Sequence, residues 1–392
     1  MKPFKHVHSI TRVLLAAAGI ACVLLTTGCW DDAEINGRAF VLGFGADNST
    51  DAGNYLFTFQ LAIPVSGESE SSGSIEYTDC TVKEQTPAAA VRTLEKNLGR
   101  QINFEQLNLI VIGEELSQGD FIGLTDYFFR RASVRRQSCI AVCSGNARDF
   151  FASSSTDKAV STDAAVTLQS YDAGGSKTSM DLHTLYKTLI NRDEFYLLQI
   201  SPIAADASEN PSDSEKKVIL SITGASAYGR EGNYRGNITE DELELMRLAC
   251  GSATSGALAV YDEAGQRYCC QVRQSDCSTK CSIVDNRPQF RLEMDLVLVP
   301  LDSPGSDTGA YTNQFTRHIG ECAERTVSRR LNALADRSRQ SLGSSVLGLR
   351  DIVRQRHPDW YKLHGEELES IYSSSEIIIT VNCTVAGGGI TK

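Results

Sequence analysis

The feature that most constrains this chain lies at its start, where Lys2, Lys5 and Arg12 precede a short apolar run that ends in Thr26-Thr27-Gly28-Cys29. Positive charge holds such an amino terminus on the cytoplasmic side, and a small residue such as Gly28 opens the bond before Cys29 to a peptidase. The run from Val13 to Leu25 is shorter than the roughly 20 apolar residues that cross a bilayer as a helix. Residues 1–28 are therefore predicted to be a lipoprotein signal peptide, with Cys29 taking a lipid such as palmitate on its thiol. The alternatives are a weaker cleavage site at Gly19-Ile20-Ala21-Cys22 and an uncleaved membrane anchor. A single acyl chain gives only marginal, reversible binding, so firm attachment needs a second chain or a membrane partner.

After Cys29 no apolar run is long enough to span a membrane, so the remainder reads as a tethered ectodomain. A chain of 392 residues exceeds one ordinary core and predicts two or three domains. Its formal charge is -11, and the signal holds three positive residues and no acids, so the mature chain stands near -14. That acidity argues against nucleic acid as a partner. Ten cysteines remain beyond Cys22 and Cys29. An even number on an exported chain suggests disulfides, and Cys269-Cys270 with Cys277 and Cys281 could close one or two small loops. Structural zinc and free thiols are the other readings, although no Cys-x-x-Cys pair is present.

Period-two alternation marks strands at Arg38 to Ala46 and Tyr55 to Ile63, the latter with Tyr55, Phe57, Phe59, Leu61 and Ile63 on one face. Ser66 to Ser74 holds little to bury and is predicted to be a mobile loop. Thr86-Pro87 opens a helix that Gly99 ends. A strand from Leu107, a helix from Asp120 and a strand from Ser138 form a crossover unit that predicts some parallel pairing. Ser153 to Thr178 reads as a loose linker, followed by a helix from Asp181 to Asn191 and a strand near Leu197. Thr239 and Glu242 form a capping box. Phe290 to Leu298 alternates as a strand, and a helix from about Asn313 to Leu342 would be on the order of 45 Å long. The expected fold class is α+β and multi-domain, with three mixed α/β domains at 29–205, 206–285 and 286–392, the last carrying the long helix.

Three blocks carry a family resemblance. Gly28-Cys29-Trp30-Asp31-Asp32 followed by Ala39-Phe40-Val41-Leu42-Gly43-Phe44-Gly45 is the first. Gly99-Arg100-Gln101-Ile102-Asn103-Phe104 leading into Leu109 to Glu115 is the second. Val346-Leu347-Gly348-Leu349, His357-Pro358-Asp359-Trp360 and the strand Ile377 to Val381 form the third. In this order they resemble the Ger(x)C family of spore germination lipoproteins. The resemblance implies the C subunit of a nutrient germinant receptor, lipid-anchored on the outer face of the spore inner membrane. It implies three mixed α/β domains and two partners, a membrane-spanning A subunit and a transporter-like B subunit. The rival class is a solute-binding lipoprotein that delivers a small molecule to a transporter, which would show two lobes of repeated strand and helix units about a hinge.

The chain offers no enzyme signature, so no catalysis, cofactor or metal is expected. His183, His318, His357 and His364 lie in no nucleophile or ligand motif. Ser155-x-x-Lys158 has an acylase spacing in a low-complexity stretch, where chance explains it. Gly43-Phe44-Gly45 lacks the third glycine of a dinucleotide loop and reads as strand-end geometry. From Arg317 to Arg356 nine arginines stand against four acids. Arg325, Arg329 and Arg330 could form a partner-facing basic patch, the plainer reading being a solvated helix face. Trp360 reads as core, with an interface anchor as the alternative.

Overall fold

A computed structural model describes residues 16, 37–65, 74–153, 159–171, 179–204, 218–250, 256–301 and 313–386. Cys29 and the pair Ser155 and Lys158 lie outside the described residues, as does most of the Ser66 to Ser74 segment. The chain forms two sheets with helices packed on them, an α+β architecture as expected.

The first hairpin is β1 (Arg38–Asn48) with β2 (Tyr55–Val65), extended by β3 (Ser74–Glu84). The alternation in β2 sends Phe57, Phe59 and Leu61 fully inward, where Phe44 of β1 meets Phe57 and Phe59 at 5.7 and 5.3 Å. Helix α1 (Pro87–Leu98) starts where Thr86 Oγ1 accepts from the Ala89 amide and stops at Gly99, whose φ of 64° is left-handed. Both signals act through backbone groups that a helix leaves unpaired at its ends. Next come β4 (Gln101–Asn103), β5 (Leu109–Gly113), the short turn α2 (Glu114–Ser117), α3 (Ile122–Phe129) and β6 (Cys139–Cys143).

β5 runs parallel to both β1 and β6, as the crossover predicts. Helix α4 (Ala147–Ala152) precedes the predicted linker, and the described part of that linker holds a helix instead, α5 (Val160–Tyr171). Val160, Ala164 and Leu168 do the packing in α5, one residue per turn among polar neighbours, which is a thin apolar signal in sequence. After β7 (Met180–Asp181), Asp181 caps α6 (Leu182–Asn191), which leads into β8 (Phe195–Ala204).

The expected division at 205/206 falls within a sheet. β9 (Val218–Tyr228) pairs along β8 and carries β10 (Tyr234–Thr239), so the first sheet runs β10-β9-β8-β6-β5-β1-β2-β3. The strands on either side of the polar stretch after residue 204 pair with each other. Helix α7 (Glu240–Ala249) opens at the Thr239/Glu242 capping box.

The second sheet has the order β11-β12-β13-β14. β11 (Gly256–Tyr261) precedes β12 (Arg267–Val284), a single 18-residue strand. β12 turns through Asp285 and Asn286, both at positive φ, into β13 (Arg287–Pro300), so the expected division at 285/286 coincides with a two-residue hairpin. Helix α8 (Asn313–Arg337) is straight α-helix to Arg337 and widens into a π-helical turn at Ser338–Leu342. Three short helices follow, α9 (Leu349–Arg356), α10 (Pro358–His364) and α11 (Leu368–Ser373), before β14 (Glu376–Val385) adds parallel to β13.

Strand pleating also settles the cysteines. Cys269 and Cys270 are neighbours on one strand and point to opposite faces, while Cys277 and Cys281 stand four residues apart along it. No disulfide joins any of the ten described cysteines, so the small disulfide loops are not formed. A bulge between Val272 and Gln274 shifts the inward set by one residue, placing Cys277 and Cys281 against the core.

Two cores hold the molecule. One lies between the first sheet and α1, α3 and α6, centred on Phe44, Phe104, Phe128 and Tyr228. The other begins on the opposite face of that sheet and continues without interruption through α7 to the second sheet and α8, from Val111 and Phe151 to Leu292, Leu331 and Val353. The two sheets therefore share an interior.

Candidate interaction surfaces

The rim of that shared interior is closed by arginines. Arg350 of α9 places Nε 3.3 Å from the Asp193 carboxylate, donates to the Tyr361 hydroxyl at 3.0 Å and is only 4 % exposed. Arg354, one turn on, reaches the other Asp193 oxygen at 3.2 Å and also Asp351 at 2.5 Å. Arg230 donates to the Glu366 carbonyl at 2.7 Å and to the Arg192 carbonyl at 3.0 Å. Arg235 pairs with Glu369, and Arg337 pairs with Glu242 while donating to the Asn237 carbonyl at 2.9 Å. Guanidinium forks suit this task because they satisfy carboxylates and carbonyls together without losing charge. The Arg-rich carboxyl-terminal region is thus stitched to the first sheet.

This changes the meaning of the basic excess. Arg325 faces Glu263 at 2.9 Å and lies 3.3 Å from the Cys322 sulfur, and Arg330 is 3.7 Å from Asp241 of α7. Arg329 is exposed and makes no ion pair among the described residues. The three residues share one helix, but two of them have acidic neighbours within the molecule. Of the acids that matter, Asp193, Glu366 and Glu369 went unnoticed in the sequence because each meets its arginine more than a hundred residues away. Only Glu242 had a local signal: one oxygen closes the capping box at Thr239, and the other receives Arg337.

Two clefts open along the seam. One of about 400 Å³ is lined by Arg235, Arg339, Glu369 and Tyr372, and one of about 300 Å³ by His183, Lys187, Asp193, Arg350 and Arg354. Trp360 is half-buried beside them and donates to Asn286 Oδ1 at 2.9 Å, which ties α10 to the tip of the β12–β13 hairpin.

At the carboxyl ends of the parallel strands, where open α/β sheets commonly bind ligands, the space is filled by the protein. Asp47 is 2 % exposed and accepts from the Ala147 and Arg148 amides at 2.7 and 3.0 Å. Burial raises its carboxyl pKa despite those two donors. A Cβ on Gly43 would lie 2.6 Å from the Phe151 ring, and one on Gly45 2.9 Å from it. These glycines allow α4 and α5 to approach β1 and cradle no phosphate. His318 Nε2 lies 3.7 Å from the Cys322 sulfur, but Cys322 has no exposed surface. Among the described residues no three His, Cys, Asp or Glu side chains converge as metal ligands, and no helix is long and apolar enough to cross a membrane.

Two family models match in tandem: the spore germination protein N-terminal domain over residues 31–202, and the spore germination B3/GerAC-like C-terminal domain over residues 223–389. Spore germination protein B3 of Bacillus subtilis (strain 168) is 21% identical over 373 residues, covering 94% of this chain and 96% of that protein. Spore germination protein A3 of the same organism is 23% identical over 379 residues, covering 94% and 96%. The crystal structure of the GerBC protein superimposes with a TM-score of 0.56 at 16% identity, covering 88% of this chain and 96% of that one. The chain belongs to the Ger(x)C family of spore germination proteins.

Proposed function

We propose that this protein is the lipid-anchored C subunit of a spore nutrient germinant receptor. It sits on the outer face of the spore inner membrane, tethered through Cys29, beside a membrane-spanning A subunit and a transporter-like B subunit. It supports receptor assembly and germination signalling without catalysis of its own. The observation that carries this reading is the tandem family match from residue 31 to residue 389, which begins two residues after Cys29. A solute-binding lipoprotein would need two similar lobes about a hinge, whereas the two sheets here differ in size and order and share a core.

Deletion of the gene tests the role. Germination with nutrients should be lost while germination by a trigger that bypasses nutrient receptors persists; normal nutrient germination, with no redundant copy, removes the reading. Cys29→Ala tests the tether, by acyl mass and by recovery in the membrane fraction. The stripe Arg325, Arg329 and Arg330 belongs to the proposed partner-facing surface. Arg329→Glu is the cleanest probe, since Arg329 breaks no described ion pair; reduced co-purification with the other subunits is expected, and unchanged recovery removes the stripe from that surface.

A further inference from the structure

The amino ends of β1, β5, β6 and β8 lie along one edge of the first sheet, because these strands run parallel to one another. The backbone of α6 crosses that edge: the Leu182 amide donates to the Ser138 carbonyl just before β6, and Arg192 follows the helix into β8. The loop after α3 lies against its start, where the His183 amide donates to the Arg136 carbonyl at 3.0 Å. Phe129 at the end of α3 meets Tyr186 at a tilt, with ring centroids 5.1 Å apart.

This edge differs in charge from the acidic whole. Arg130, Arg135, Arg136, Lys187 and Arg192 are all exposed along it. Among the described residues the facing acids are largely engaged or buried: Asp126 is held by Arg130 at 2.6 Å, Asp193 by Arg350 and Arg354, and Asp351, which lines a cleft with Lys187, by Arg354, while Glu194 is buried and Glu105 is exposed. Between the cations stand two outward apolar side chains one helical turn apart, Tyr186 at 43 % and Ile190 at 62 % exposure. A helix that shows aromatic and aliphatic tips between basic residues matches the chemistry of an anionic bilayer surface, which demands no shape complementarity from its partner.

The tether leaves from the same edge. β1 begins at Arg38, and β4, which pairs in parallel with that first turn of strand, begins beside Arg100. The residues between Cys29 and Arg38 span roughly 30 Å at most when fully extended. A lipid on Cys29 therefore keeps this edge closer to the bilayer than the opposite one, where Asp47 and Asp149 lie.

We infer that the edge formed by the Arg130–Arg136 loop and α6 rests on the anionic membrane surface and fixes the orientation of the ectodomain above it. This rests on the lipid-anchor reading, and the test separates the two. The full-length protein is reconstituted in vesicles of phosphatidylcholine alone and in vesicles containing phosphatidylglycerol, and amide hydrogen exchange is compared. Exchange in residues 130–137 and 182–192 should slow at least several-fold in the anionic vesicles only. The Arg136→Glu/Lys187→Glu variant, with an unchanged unfolding midpoint, should lose that difference while staying membrane-bound. Equal exchange in both vesicle types overturns the inference. Equal slowing in wild type and variant also overturns it, as does slowing by the partner subunits in detergent without anionic lipid. If Cys29 proves unlipidated, the same protection on adding the chain to preformed anionic vesicles still supports this edge, and its absence still sinks it.

Discussion

Arg350 and Asp193 meet 3.3 Å apart at the centre of the seam, with the guanidinium almost fully enclosed. Removing one partner of a buried pair leaves an uncompensated charge, which costs about 3–5 kcal/mol. Asp193→Ala should lower stability by roughly that amount, read as a shifted midpoint in urea unfolding. Adding Arg350→Met should recover a substantial part of the loss, since the stranded charge is then gone.

Asp47 links the end of β1 to the start of α4 across a hundred residues. Asp47→Ala orphans two buried amides and should cost about 1–3 kcal/mol. The native carboxyl pKa lies above the ordinary value of 3.8, so the folded state holds this proton more tightly than the unfolded chain. The contribution is therefore fullest below 3.8 and declines as pH rises through the native value. A pH series of unfolding free energies should show this decline in wild type and a flatter profile in Asp47→Ala.

Gly43 and Gly45 tolerate no Cβ because the Phe151 ring occupies the space. Gly43→Ala should overpack this contact and cost about 1–3 kcal/mol. Thermal unfolding checks it, and Phe151→Leu in the Gly43→Ala background should restore some of the lost stability.

The thiols should be numerous and quiet. Burial pushes Cys277 and Cys383 up to about 12 and Cys281 up to about 11, far from the thiolate form that reacts. Alkylation near pH 8 should be slow at these three in the native protein. In denaturant without reductant, mass spectrometry should find all ten described cysteines modified; a deficit of two adducts would reveal a disulfide.

Local physics was legible from the residues alone. Thr86, Gly99, Asp181 and the Thr239/Glu242 box each act within four residues, and each stands where its pattern placed it. The alternations of β2 and β13 likewise named their buried faces. What escaped depends on distant partners. Helix α5 packs through Val160, Ala164 and Leu168, a stripe too thin to read before the sheet is known. β3 is an edge strand whose exposed side chains alternate weakly. The break after residue 204 looked like a domain border, yet β8 before it and β9 after it pair with each other in one sheet. The arginine run looked like a free basic face because most of the acids that answer it, Asp193, Asp241, Glu242 and Glu263, lie 62 to 161 residues away in the middle of the chain.

The uninterrupted interior between the two sheets bears on how a signal could pass. Units joined by a large apolar contact resist independent motion. A push on α8 would accordingly be delivered to the first sheet as a rigid lever delivers a turn, so that the two sheets tilt together.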